Sequence, residues 1–152
     1  MTAPASEFQH VSIVVSDPER SLAFYRDVFG FERWLTAEAG AAHGPVLNIA
    51  DPNLSFTSHF LTRGGLRLEL IAFNHPEPSR PEPANPAFGF THLAFSTPDL
   101  PGLTAAVKQH GGQVVEGAQV AYPDGSSFVM CLDPDGVRIE LFDVRGWSPP
   151  AT

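Results

Sequence analysis

The sequence LRLEL at residues 66–70 returns as VRIEL at residues 137–141, 71 positions further along the chain. A second matched pair lies upstream of these two segments. It is FQHV at residues 8–11 and FTHL at residues 90–93, offset by 82 positions. Because both signals recur in the same order in each half, the sequence predicts two copies of one structural unit.

Each copy is predicted to contain a strand, a helix and three further strands. In the first half a strand near residues 8–15 precedes Asp17, which can cap a helix that begins at Pro18. Gly30 supplies the end of that helix. The remaining strands of the first half are predicted near 32–38, 54–62 and 65–73, with 39–53 as a loop and Gly64-Gly65 as a turn. The fold class is therefore α+β, built from paired βαβββ modules.

The second half repeats this order. A strand is predicted at 90–96 and a helix near 98–110, which ends at Gly111-Gly112. Further strands are predicted near 113–120, 126–132 and 136–144, and Asp133-Pro134-Asp135-Gly136 is a strong turn sequence. We expect one domain over residues 1–152, with module one at 8–73, a connector at 74–89 that contains five prolines, module two at 90–144 and a loose tail at 145–152.

Composition excludes several classes of function. The chain has 152 residues, of which 43% are hydrophobic and 17% charged, and this is ordinary for a globular protein. A net charge of −8 disfavours nucleic acid and anionic membrane surfaces as partners. No apolar run approaches the roughly 20 residues that span a bilayer. The start of the sequence lacks signal-peptide features and Cys131 is the only cysteine, so we expect a cytoplasmic protein without an intrachain disulfide.

Four polar residues lie opposite the apolar faces of the predicted strands. Alternate residues of a strand share a face. Leu68 and Leu70 therefore share one face of their strand while Glu69 points to the other. The same alternation places His10, His92 and Glu140 opposite the apolar residues of their own strands. If the sheet curls, those four faces become one cleft.

Two imidazoles and two carboxylates suit a divalent cation: zinc, nickel, cobalt, iron(II) or manganese. Any one of these residues taken alone is more ordinarily solvated or paired with a neighbouring arginine. Arg67 and Arg138 could orient these carboxylates or bind an acidic substrate, and we expect the carboxylate pairing. Because all four occupy equivalent positions of the repeat, the sequence favours a metal site made of His10, Glu69, His92 and Glu140. An open metal acts as a Lewis acid, and a displaced carboxylate can serve as a general base.

Several segments together resemble the vicinal oxygen chelate superfamily, which includes glyoxalase I, methylmalonyl-CoA epimerase, extradiol dioxygenases and the fosfomycin and bleomycin resistance proteins. The resemblance extends from Phe8 to Val144. It rests on HVSIVV at 10–15, SLAFYRD at 21–27, FGFE at 29–32, HLAF at 92–95, and DPDG at 133–136 followed by IEL at 139–141. It implies a cup-shaped mixed sheet around a metal, with the helices on the outer face.

The resemblance also implies roles for single residues. His10, His92 and Glu140 match the ligands on the first, fifth and last strands. Glu69 matches a ligand of glyoxalase I and epimerase-like members that the extradiol dioxygenases lack, so it favours isomerase or lyase chemistry through an enediolate. Bacterial glyoxalase I usually has an arginine for glutathione four residues after the first ligand. Val14 stands there in this chain, which argues against glutathione dependence.

The expected function is a metal-dependent isomerase or lyase that acts on a small substrate chelated through adjacent oxygens, with Glu140 or Glu69 moving the proton. Two alternatives remain, an iron(II) ring-cleaving dioxygenase that needs only His10, His92 and Glu140, and a binding protein that sequesters a small molecule. The resemblance implies a homodimer with one divalent ion per site, and the site is formed either within one chain or from residues of two chains. Among other residues, we expect Cys131 to be a packed side chain and not a nucleophile.

Overall fold

The structure is a computed structural model that describes residues 6–79 and 89–145. Its elements are β1 (Val11–Val14), α1 (Pro18–Phe29), β2 (Glu32–Gly40), a 3₁₀ turn (Ala41–His43), α2 (Gly44–Leu47), β3 (Ser55–Arg63), β4 (Leu66–His75), β5 (Leu93–Thr97), α3 (Leu100–Gln109), β6 (Gln113–Ala121), β7 (Ser127–Leu132) and β8 (Arg138–Asp143). The α+β class and the repeated βαβββ order are confirmed.

The strands form two four-stranded mixed sheets of the same topology. The first sheet has the order β1-β4-β3-β2 and the second has β5-β8-β7-β6. In each sheet the opening strand runs parallel to the closing strand of its module, and the other neighbours are antiparallel. The repeat found in the sequence therefore corresponds to the same order of paired strands in both sheets.

The chain divides into two packing units, and α1 belongs to the second of them. Within the described residues the first unit comprises 6–18 and 31–79, and the second comprises 19–30 and 89–145. In the second unit the Phe29 ring stacks on Phe95, with centroids 4.2 Å apart. The Tyr25 hydroxyl donates a hydrogen bond to Asp133 Oδ2 at 3.0 Å. Aromatic side chains of α1 are thus part of the core of the second unit.

Local sequence signals explain where the helices begin and end. Gly30 has a φ of 68°, the left-handed conformation that ends α1 as predicted. The Asp99 side chain accepts a hydrogen bond from the Gly102 backbone N–H at 2.9 Å and so caps α3. No helix among the described residues is long and apolar enough to cross a membrane.

The predicted loop at 39–53 was wrong in part. β2 continues to Gly40, and the 3₁₀ turn and α2 follow it. Leu47 and Ile49 pack against a buried cluster of Leu54, Phe56 and Ile71, and this apolar contact orders the segment. The predicted tail, apart from Arg145, and most of the predicted connector lie outside the described residues.

Candidate metal centre

The first unit brings His10 and Glu69 together. Ser12 on β1 pairs with Glu69 on β4, so both side chains lie on the face opposite the buried Leu68 and Leu70. His10, two residues before Ser12, reaches the same carboxylate, and its Nε2 lies 3.2 Å from Glu69 Oε2. The Ser12 hydroxyl donates a hydrogen bond to that same oxygen.

The second unit repeats this arrangement with His92 and Glu140. Ala94 on β5 pairs with Glu140 on β8, and Ile139 and Leu141 on either side of the glutamate are fully buried. His92 Nε2 lies 3.9 Å from Glu140 Oε2. Each unit therefore presents one imidazole and one carboxylate at equivalent positions of the repeat.

Both histidines turn the same ring nitrogen toward the carboxylate because a neighbouring side chain engages the other nitrogen. His10 Nδ1 is hydrogen-bonded to Gln9 Oε1. His92 Nδ1 lies 3.0 Å from the Thr91 hydroxyl. A neutral imidazole that donates from Nδ1 keeps a lone pair on Nε2, the form that binds metals. Gln9 and Thr91 were missed in the sequence, although each directly precedes its histidine.

The two glutamates differ in how firmly they are held. The Glu69 side chain is 12% exposed and accepts the hydrogen bond from Ser12. The Glu140 side chain is 23% exposed, and alanine stands where its serine donor would be, at Ala94. The Glu69 carboxylate is thus oriented by a serine hydrogen bond that the Glu140 carboxylate lacks.

The nitrogen–oxygen separations fit pairs of ligands on one cation. Metal–ligand bonds of about 2.1 Å place neighbouring tetrahedral or octahedral ligands roughly 3.0–3.4 Å apart. The first pair, at 3.2 Å, already has this spacing, and the second, at 3.9 Å, needs a shift of about half an ångström. Among the described residues no group of three or more His, Cys, Asp or Glu is suited to hold a metal. The four-residue centre remains a prediction.

An aromatic ring packs against the first pair, and a second ring packs against the first one. The Phe60 ring meets the His10 ring edge-on, with centroids 5.6 Å apart. Trp34 meets Phe60 in turn at 6.5 Å. The Arg67 guanidinium lies 5.4 Å from the centre of the Trp34 ring. The predicted carboxylate pairing of Arg67 was wrong within the described residues, because its guanidinium lies over the Trp34 indole instead.

Most of the remaining histidines have structural surroundings. His59 is 7% exposed, lies on the apolar face of β3, and is hydrogen-bonded to the Thr36 hydroxyl at 3.0 Å. His75 Nε2 lies 2.9 Å from Asp51 Oδ2. His110 follows the last turn of α3, and its Nδ1 lies 3.6 Å from Asp27 Oδ2. These surroundings are typical of packing and pairing.

Cys131 is fully buried, and burial raises the pKa of its thiol to about 11. A thiol in that state is a poor nucleophile at neutral pH. The expectation that Cys131 packs as a small side chain agrees with its position.

Two cavities in the described part of the chain lie away from the four predicted ligands. One, of about 360 Å³, borders α2 and the loop at 48–52. The other, of about 350 Å³, borders α3 in the second unit and includes Lys108, Asp143 and Arg145. Neither is lined by His10, Glu69, His92 or Glu140.

Comparison with known proteins gives a consistent family. A family model described as Glyoxalase/Bleomycin resistance protein/Dioxygenase superfamily matches residues 7–141. The "Uncharacterized protein YaeR" of Escherichia coli (strain K12) is 30% identical over 139 residues, which are 90% of this chain and 95% of that protein. The "Lactoylglutathione lyase GLX1" of Arabidopsis thaliana is 29% identical over 145 residues, 93% of this chain but 45% of that protein.

Among solved structures, a glyoxalase family protein from Bacillus cereus aligns with a TM-score of 0.76 and 22% identity, covering 92% of this chain and 95% of that one. At this identity the likeness concerns the fold.

Proposed function

Because the chain belongs to the Glyoxalase/Bleomycin resistance protein/Dioxygenase superfamily, we propose that it is a metal-dependent isomerase or lyase acting on a small substrate with two adjacent oxygens. The observation that carries this proposal is the repeated pair: in each unit a histidine Nε2 lies within 3.9 Å of a glutamate oxygen. A lactoylglutathione lyase among the relatives supports the same class of chemistry.

The four residues of the two pairs, His10, Glu69, His92 and Glu140, are the proposed ligands of one divalent ion. Two carboxylates neutralise the charge of a dication. In each histidine a neighbouring side chain engages Nδ1, so Nε2 is the ring nitrogen left to bind the ion. Bound there, the ion would supply Lewis-acid polarisation of a substrate carbonyl oxygen.

Glu140 is the proposed general base. A base must present a free lone pair to the proton that it removes. Glu69 Oε2 already accepts the Ser12 hydroxyl and faces His10, so its orientation is fixed. Glu140 has no serine at the equivalent position and lies further from its histidine. Its carboxylate can therefore turn toward a substrate carbon with a smaller loss of hydrogen bonding. Glu69 then remains as the ligand that anchors the site.

The ring-cleaving dioxygenase is the second candidate, and Glu69 argues against it. That chemistry needs only His10, His92 and Glu140 from this set. In the first unit, however, a serine and a histidine both orient the Glu69 carboxylate, which is 9% exposed as a residue. A carboxylate held in this way is better explained as a ligand than as a solvated surface group.

Metal content and proton exchange test the proposal together. The protein is stripped with a chelator, loaded separately with Ni²⁺, Co²⁺, Zn²⁺, Mn²⁺ or Fe²⁺, and analysed for bound metal. Each loaded form is incubated in D₂O with a panel of α-hydroxycarbonyl and 2-oxo compounds, and loss of the α-proton is followed by NMR. We expect one ion per chain and exchange with at least one compound.

Variants assign the two glutamates. Glu69→Gln is expected to weaken metal binding about 10-fold to 100-fold. Glu140→Gln is expected to lower proton exchange by about 100-fold or more even at saturating metal. Glu38→Gln, on an exposed strand position of the first sheet, is the matched control and should change neither. Absence of stoichiometric metal would overturn the proposal, and oxygen uptake with catechols in the Fe²⁺ form would replace it with the dioxygenase.

A further inference from the structure

We propose that Arg67, supported by Trp34, is a specificity residue that binds an anionic group of the substrate, either a carboxylate or a phosphate. The inference rests on the proposed function, because it places that group beside Glu69, one of the proposed metal ligands.

Arg67 lies on the same face of the first sheet as Glu69. The two residues are separated by one position on β4, so their backbones are about 7 Å apart and their side chains point to the same side. A substrate held through two oxygens by the proposed ion beside Glu69 would therefore place a substituent one or two carbons away within reach of the guanidinium.

The guanidinium has no carboxylate partner among the described residues, although Glu69 is its neighbour on that face. The Glu69 carboxylate is engaged by Ser12 and faces His10 instead. Arg67 is exposed, and its guanidinium contacts the Trp34 ring, 5.4 Å from the ring centre. A cation–π contact with a ring uses none of the guanidinium N–H groups as donors to a carboxylate, so they remain able to bind an anion.

Trp34 reaches this position because of a β-bulge. The register of β2 against β3 shifts between Arg33 and Leu35, and Trp34 is the residue skipped by the pairing. A bulge redirects a side chain, and here the indole is placed beside Phe60 and Arg67. Trp34 is 56% exposed, so its ring and the guanidinium beside it are open to a ligand from solvent.

Charge also favours this assignment. The chain carries a net charge of −8, and the two glutamates cancel the charge of a bound dication. An anionic substituent would therefore meet net repulsion from the rest of the molecule, and a local cation without a partner offsets it.

Arg138 provides an internal comparison. It stands two residues before Glu140, as Arg67 stands two residues before Glu69. In the described structure no aromatic ring stacks under Arg138, and its partner across the strands is Leu132. Arg138 thus has the same charge as Arg67 but no aromatic ring beside it in the described structure. Arg138→Met is therefore the matched control for Arg67→Met.

The test uses neutral and anionic chelators of the same kind. Acetohydroxamate, its carboxylate analogue succinate monohydroxamate and its phosphonate analogue phosphonoacetohydroxamate are titrated calorimetrically into the Co²⁺-loaded protein. We expect one of the two anionic probes to bind about 10-fold to 100-fold more tightly than acetohydroxamate, the range of a hydrogen bond to a charged group. The tighter probe identifies the substrate group as carboxylate or phosphate.

The variants then separate the contributions. Arg67→Met is expected to abolish the advantage of the anionic probe while leaving the Kd for acetohydroxamate unchanged. Trp34→Leu is expected to reduce the advantage in part, and Arg138→Met to preserve it. Retention of the advantage in Arg67→Met, or its equal loss in Arg138→Met, would overturn the assignment.

A metal-free arm distinguishes this inference from the proposed function. Inorganic phosphate and succinate are titrated into metal-free protein in a Trp147→Phe background, so that Trp34 is the only tryptophan. A change in Trp34 fluorescence that Arg67→Met removes would support the anion site even where Co²⁺ fails to bind and the proposed function falls. Normal metal binding without any Arg67-dependent signal in either arm would overturn the anion site alone.

Discussion

Tyr25→Phe removes one oxygen atom from the core of the second unit and tests the bond that joins α1 to the turn before β8. The Tyr25 hydroxyl donates to Asp133 Oδ2 at 3.0 Å, and the two residues are 0% and 2% exposed. Asp133 Oδ1 accepts the backbone N–H groups of Val137 and Asp135 at 2.7 and 2.9 Å. Removing the hydroxyl leaves Asp133 Oδ2 without this donor. Because both residues are buried, the site is poorly accessible to a water molecule that could replace the hydroxyl.

The expected cost is about 1.5–3 kcal/mol of unfolding free energy at pH 7, the value of a hydrogen bond to a charged group. For a chain of this length that corresponds to a fall in Tm of about 3 to 12 °C. Urea unfolding followed by circular dichroism measures the free energy. Tyr122→Phe is the control, since Tyr122 is 48% exposed and the change should stay within about 0.5 kcal/mol.

The cost should depend on pH. Burial raises the pKa of the Asp133 carboxyl above its ordinary value, while the backbone N–H of Val137 and the Tyr25 hydroxyl hold that pKa down in part. Because its native pKa lies above the unfolded one, the contribution of Asp133 to stability is most favourable below the unfolded pKa and falls as pH rises through the native pKa. Tyr25→Phe raises the native pKa further, so its cost should be larger at pH 7 than near pH 4. A cost below 0.5 kcal/mol, or one that is equal at both pH values, would refute this reasoning.

Three further outcomes are expected. Ser12→Ala should weaken Ni²⁺ binding about 10-fold, because Glu69 loses the donor that orients it; an unchanged Kd by calorimetry would contradict this. Cys131, whose buried thiol has a pKa of about 11, should react with a disulfide reagent at pH 8 only after unfolding in guanidinium; rapid labelling of the native protein would contradict its burial. Gly112→Ala should cost about 1–3 kcal/mol in urea unfolding, because its Cβ would lie 2.7 Å from the Leu132 carbonyl oxygen. Gly65→Ala, with open space around the Cβ, is its control and should be near neutral.

The faces of the strands could be predicted because alternation and the repeat reinforce one another. Glu69 and Glu140 each lie between buried apolar neighbours, and their cross-strand partners, Ser12 and Ala94, are equivalent residues of the two modules. Gly30 and the turn at 133–136 could also be predicted, because their backbone conformation depends on the residue types at those positions and not on distant contacts. The helix and strand order followed from these signals.

What could not be predicted depends on contacts between distant residues. The bulge that places Trp34 beside Arg67 has no local signal in the sequence, and alternation alone favoured a carboxylate partner for that arginine. The choice between Glu69 and Glu140 as the base likewise depends on one hydroxyl, that of Ser12, which becomes informative only when the β1–β4 register is known. The segment at 44–49 has local signals, Pro45 in the first turn of α2 and Asn48 in the left-handed conformation at its end, but the packing of Leu47 and Ile49 on the buried cluster depends on distant residues.

The position of α1 has a consequence for how the chain can be divided. The sequence repeat suggests a cut near the proline-rich segment, yet the core of the second unit contains Phe24, Tyr25 and Phe29 from the first copy. A fragment starting at residue 90 would lose the ring that stacks on Phe95 and the donor to Asp133, and would expose both to water. The sequence repeat and the packing units therefore have different boundaries. A fragment of the second half should be soluble only when residues 19–30 are supplied with it.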